Sequence, residues 1–102
     1  MGRFAQHTKL VALSGRADRL AAKFLESAEM QRGNPACELM LVSRSPDDGQ
    51  VVFLTEVWSS EAEWDRARRS PAIAAWAEEM PSLVAEAPQS VRLDPLGGIG
   101  LP

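Results

Sequence analysis

A chain of 102 residues that is 45% hydrophobic and 25% charged has a globular composition with a thin core, since folding at this size removes only about two thirds of the unfolded surface from water. The net charge of −3 excludes overall attraction to phosphate backbones or anionic lipid, and the short Arg66, Arg68, Arg69 cluster sits among Glu61, Glu63 and Asp65. No apolar run is long enough to cross a bilayer, so neither a nucleic-acid nor a membrane partner is expected. Cys37 has no disulfide partner, and MGRFAQHTKL lacks the apolar segment of a signal peptide; a reducing, cytoplasmic setting is expected.

Residues 4–13 (FAQHTKLVAL) read as a first strand, stopped by Ser14 and Gly15. Ala17, Leu20, Ala21, Phe24, Leu25 and Ala28 then recur at the spacing that lays one apolar stripe along a helix, which RGNP at 32–35 ends. CELMLVSR and VVFLTEVW, at 37–44 and 51–58, are two strands of a hairpin whose connection SPDDGQ carries Pro46, Asp47 and Gly49 for the turn. Ser60 followed by Glu63 is a capping box that opens a second helix. Ser70 and Pro71 interrupt that helix as a fresh N-cap and first helical position, restarting it through 72–79 until Met80 and Pro81. QSVRLDP at 89–95 is a short last strand, and 96–102 form a glycine-rich tail.

This order predicts an α+β, ferredoxin-like βαββαβ fold: one domain over 1–102 with its core at about 4–95, and a four-stranded antiparallel sheet covered on one face by the helices. Leu39 and Leu41 alternate with Met40 and Val42, and Val52 and Leu54 alternate with Val51, Phe53 and Val57, so both sheet faces are apolar. The helices can cover only one of them. The other predicts a homodimer packed sheet against sheet.

No GxGxxG or GxxxxGK[ST] motif is present, and one cysteine with one histidine cannot build a Cys/His zinc site; neither metal nor bound cofactor is expected. All three tryptophans fall within 55–76, where they serve either as core or as walls of a pocket for a flat aromatic molecule. Trp58 shares strand parity with Glu56, whose burial would raise its pKa towards that of a useful general base; the alternative is an ion pair with Arg92, Lys9 or Arg44. Trp64 and Arg68, four residues apart on one helix face, suit a cation–π contact, and Trp76 follows the helix break. His7, the only histidine, is a candidate acid or base, with a hydrogen-bonded packing role as the alternative. Gln6 and Thr8 share the face opposite His7 and could orient a substrate hydroxyl or carbonyl. Cys37 is expected to be a small buried residue, and Met30, Met40 and Met80 to fill gaps.

The run VVFLTEVWSSEAEW, preceded by a strand and an amphipathic helix and followed by SPAIAAW, resembles the antibiotic biosynthesis monooxygenase family of small dimeric α+β barrels, over about residues 4–95. The ending MPSLVAEAPQSVRLDPLGGIGLP is similar to cofactor-free oxygenases that act on aromatic polyketides in actinomycetes. The resemblance implies a cleft between sheet and helices, a site around Trp58 and Trp64 with Thr8 reaching in from the first strand, and oxidation of anthrones or quinols by molecular oxygen without metal or flavin. It also exposes departures. The haem-degrading branch places asparagine, tryptophan and histidine where Thr8, Ala67 and Ala77 stand, so haem degradation is not expected. Many members carry histidine at the position of Ala67, and the polyketide oxygenases carry asparagine near Leu54 and arginine near Ala74.

The proton-transfer group is therefore sought among Glu56, His7 and Arg68, with Thr8, Gln6, Trp58, Trp64 and Trp76 as substrate-binding residues. The leading expectation is a cofactor-independent monooxygenase of a flat hydroxylated aromatic, a quinol or an anthrone-like polyketide intermediate. Its alternatives are a non-catalytic small-molecule-binding module on the same dimeric fold, favoured by the lost polar groups, and an isomerase or cyclase that would use the same base without oxygen.

Overall fold

The first structural decision falls at Gly15, whose φ of +79° turns the chain from strand into helix in a conformation that a Cβ would strain. The computed structural model describes residues 2–101; Met1 and Pro102, the two ends of the expected domain, lie outside the described residues. Eight elements follow in order: β1 (Phe4–Val11), α1 (Ala17–Gln31), β2 (Cys37–Arg44), β3 (Val51–Trp58), α2 (Glu61–Arg68), α3 (Pro71–Ala77), a 3-10 turn (Met80–Ser82) and β4 (Gln89–Leu93).

The strands form one sheet in the order β2-β3-β1-β4, with every neighbouring pair antiparallel, which is the ferredoxin-like βαββαβ arrangement. The hairpin turn is held by side chains: Ser45 Oγ accepts from the amides of Asp47 and Asp48, and Asp48 Oδ1 accepts from that of Gln50. Ser60 Oγ accepts from the Glu63 amide at 3.2 Å and Ser70 Oγ from the Ile73 amide at 3.2 Å, so the capping box and the restarted helix are both formed.

The core lies between the sheet and α1, where Leu10, Leu20, Phe24, Val52, Leu54 and Leu83 pack together. Four sequence expectations need correction here. The first strand ends at Val11 rather than residue 13; Ala12 makes only an isolated bridge to Val84, and Leu13 is exposed. The last strand ends at Leu93 rather than residue 95. The restarted helix ends at Ala77 rather than residue 79; a 3-10 turn at Met80–Ser82 then brings Leu83 to full burial, and the Leu83 carbonyl accepts from the Leu13 amide at 2.8 Å. On α1 the buried stripe passes through Leu20, Lys23, Phe24 and Ser27, while Leu25 stands exposed because it lies about 100° around the helix from Phe24.

Met40 and Met80 pack against the core as expected, but Met30 is exposed at the end of α1. The second sheet face carries no helix. Leu39 and Leu41 on β2 and Val91 and Leu93 on β4 are all exposed there, with His7, Phe53 and Thr55 between them. No helix among the described residues is long and apolar enough to cross a membrane.

Candidate functional site

Register alone brings the candidate side chains into a row. On the helix-facing side of the sheet Met40 of β2, Glu56 of β3 and Gln6 of β1 stand abreast, and the next row holds Val42, Leu54, Thr8 and Ser90. Above these rows the helices leave a cavity of about 280 Å³ instead of closing on the sheet. Its floor is Leu54, Glu56 and Trp58; Trp64 and Arg68 of α2 and Trp76 of α3 supply the upper walls.

Glu56 is the cavity's only described carboxylate, and it is 6% exposed. Trp58 Nε1 donates to its Oε1 at 2.9 Å. Burial raises its pKa above the usual 4.5, and the indole hydrogen bond, which favours the charged form, works against that rise. None of the cations expected as ion-pair partners serves it. Arg44 bonds Asp18 at 2.9 Å, Arg92 pairs with Glu61 while its guanidinium lies over Phe4, and Lys9 projects from the opposite face of the sheet. A carboxylate held in this way, buried and without an ion-pair partner among the described residues, is suited to accept a proton from a ligand.

The aromatic walls are themselves held in place. Trp64 stacks on Phe4 with centroids 4.5 Å apart, and the Arg68 guanidinium lies 4.9 Å from the Trp64 ring while bonding Asp65 at 2.8 Å. Trp76 meets Phe24 edge-on at 5.1 Å, and its Nε1 donates to the Lys23 carbonyl at 2.6 Å, tying α3 to α1. The same junction carries Glu79, bonded twice by Arg19 and approached by Lys23 Nζ at 3.6 Å; the Arg19 hydrogen bonds lead in holding its pKa down to about 2.

Gln6 and Thr8 form the polar end of the cavity together with Ser90. Gln6 Nε2 lies 3.4 Å from Thr8 Oγ1 and 3.2 Å from Ser90 Oγ, and the two hydroxyls are 3.0 Å apart. Sequence reading missed Ser90, which becomes visible only once β4 is paired with β1 so that Ser90 faces Thr8. It also missed Ser27, whose neighbour Phe24 marks the buried side of α1.

His7 is separated from this assembly. It projects from the other sheet face, where its Nδ1 lies 2.9 Å from Thr55 Oγ1 and its ring stacks on Phe53 at 5.3 Å. Of the expected site residues, Glu56, Arg68, Gln6, Thr8 and the three tryptophans thus line one cavity, while His7 holds a packing position behind the sheet. Leu54 and Ala67, where the resemblance expects asparagine and histidine, line the cavity as apolar wall; Ala74 and Ala77 are exposed on α3.

Cys37, expected to be buried, is only half-buried at the start of the edge strand β2; burial, then the charge of Glu56, push its thiol pKa up, so it is a poor nucleophile. Among the described residues no group of three or more His, Cys, Asp or Glu side chains is placed to hold a metal ion.

Comparison with known proteins gives the family and supports the fold. The sequence profile described as Antibiotic biosynthesis monooxygenase matches residues 3–79. No curated protein matches the chain significantly. Among solved structures, a candidate antibiotic biosynthesis monooxygenase from Chloroflexus aurantiacus is similar with 25% identity and a TM-score of 0.86, covering 98% of this chain and 99% of that one. Another such candidate, from Caulobacter crescentus, shows 22% identity and a TM-score of 0.86 over 94% and 92% of the two chains. A Mycobacterium tuberculosis protein shows 20% identity and a TM-score of 0.84 over 95% and 98%.

Proposed function

Since this chain belongs to the antibiotic biosynthesis monooxygenase family, we propose that it is a cofactor-independent monooxygenase of a flat hydroxylated aromatic, a quinol or an anthrone-like polyketide intermediate. The observation that carries this reading is Glu56: a buried carboxylate with a raised pKa and no ion-pair partner among the described residues, facing an aromatic-walled cavity.

In this reading Glu56 takes the acidic proton of the bound phenol or anthrone, leaving an electron-rich anion that passes one electron to molecular oxygen. Recombination forms a carbon–oxygen bond at the ring. The oxygen–oxygen bond then breaks as the ring carbon gives up its remaining hydrogen as a proton; one oxygen atom stays on the carbon as a carbonyl or hydroxyl, and the other leaves as water with that proton and the one returned by Glu56. The substrate supplies both electrons for that water. The protein's share is therefore a base, an orientation and a cavity that limits access of bulk water. Gln6, Thr8 and Ser90 would orient an oxygen substituent, and Arg68 at the rim would stabilise the anion through its charge.

The uncovered sheet face fits a homodimer packed sheet against sheet, with Leu39, Leu41, Val91 and Leu93 on its two sides, and a cytoplasmic setting accords with an unpaired cysteine. One observation favours the second reading, a non-catalytic binding module: the cavity positions of Leu54 and Ala67 carry no polar group. Turnover in isotopically labelled dioxygen separates the two. One labelled oxygen atom in the oxidised ring supports the oxygenase, and bound but unchanged substrate supports the binding module.

A further inference from the structure

Two serines that sequence reading missed stand at opposite ends of the cavity. Ser27 approaches from α1 over β2, where its hydroxyl donates to Met40 Sδ at 3.8 Å. A serine inside a helix ordinarily bonds the carbonyl one turn back. Here that carbonyl, of Lys23, accepts the Trp76 indole at 2.6 Å, and the Ser27 side chain, 7% exposed, has only a thioether, a weak acceptor. Ser90 stands on β4, the other edge of the sheet. In the Thr8–Ser90 pair one hydroxyl donates to the other, and Gln6 donates to both, so one hydroxyl proton is left over. Each end of the cavity therefore holds a buried or half-enclosed donor that the protein itself does not use fully.

Besides these two ends the polar lining is Glu56 on the floor, Gln31 on α1 and Arg68 in the upper wall; the rest is mainly aromatic and aliphatic. Three interstrand spacings separate β2 from β4, about 14 Å, which is about the span of two fused rings with an oxygen at each end plus a hydrogen bond beyond each. We infer that the cavity selects a bicyclic arene with oxygen functions on opposite edges, held at one end by Ser27 and at the other by Thr8 and Ser90, with its middle over Glu56. This rests on the cavity being an aromatic-binding site, as proposed above, and deepens it into a rule of substrate shape.

Calorimetry under nitrogen tests the rule without asking for turnover. The probes are naphthalene-2,6-diol, with oxygens on opposite edges, naphthalene-2,3-diol, with both on one edge, and 2-naphthol. The expected result is that the 2,6-diol binds about tenfold more tightly than either of the others, and that Ser27→Ala and Ser90→Ala each weaken it by about threefold to tenfold, as loss of one neutral hydrogen bond predicts. Binding of 2-naphthol should fall in one variant at most. Equal affinity for the three probes, no binding of any, or unchanged 2,6-diol affinity in both variants overturns the inference. Because oxygen is absent, a failure of the oxygenase reading leaves a selective 2,6-diol response intact, so the two failures are distinguishable.

Discussion

Trp58 Nε1 donates a 2.9 Å hydrogen bond to Glu56 Oε1 on the cavity floor, so the indole is both wall and partner of the carboxylate. The bond spans two positions of one strand, where alternate side chains share a face. It stabilises the charged form of Glu56 against the burial that disfavours it.

Trp58→Phe removes that donor and keeps an aromatic ring. The Glu56 pKa then rises further, and the acid limb of the pH–rate profile moves to higher pH, since the base must be ionised to act. Rates measured across the carboxylate range on both proteins check this. The same variant should show weaker fluorescence quenching by an anthraquinone-like ligand, because Trp58 lines the cavity.

Glu56 also sets a stability dependence. Its folded pKa is raised, so the folded state holds the proton more tightly than the unfolded state. Its favourable contribution is complete below the usual carboxylate value and is lost as pH rises through the folded pKa. Glu56→Gln should therefore melt higher than wild type at pH 7 and lose that advantage under acid conditions. Calorimetric melting at the two pH values gives the sign.

Leu83 is fully buried although it follows a proline-containing turn. Leu83→Ala should destabilise the fold by about 3 kcal/mol through lost burial and the space left behind. Urea unfolding with an unchanged m-value would show it.

The proposed dimer buries Leu41 and Val91, 52% and 57% exposed in the single chain, on the two sides of the contact. Leu41→Asp or Val91→Asp should shift the protein to monomer in sedimentation equilibrium by placing an unpaired charge in an apolar interface. A monomeric wild type would remove the dimer.

Most of the fold was legible in the sequence because its signals are local. Ser60 and Ser70 each cap a helix through a bond within three residues, and the alternation in 51–58 places Glu56 and Trp58 together. The cavity was legible for the same reason, as strand parity and helix spacing bring Gln6, Thr8, Trp64 and Arg68 to one side. What stayed hidden depends on contacts remote in sequence. Ser90 meets Thr8 across 82 positions, Leu83 is buried by chain entry over the core, and Ser27 faces the cavity through a contact with Met40 of β2. The cation expected beside Glu56 was plausible by composition alone, but Arg44 and Arg92 are taken by Asp18 and Glu61.

Oxygen uptake by purified protein, free of metal and flavin and supplied with an anthrone or a reduced quinol, tests the central claim most directly once uptake in a no-protein control is subtracted. Saturable uptake that Glu56→Gln abolishes while leaving the fold intact is the expected result. Uptake that persists in Glu56→Gln would contradict the role of this carboxylate, and no uptake across a panel of such substrates would contradict the oxygenase itself.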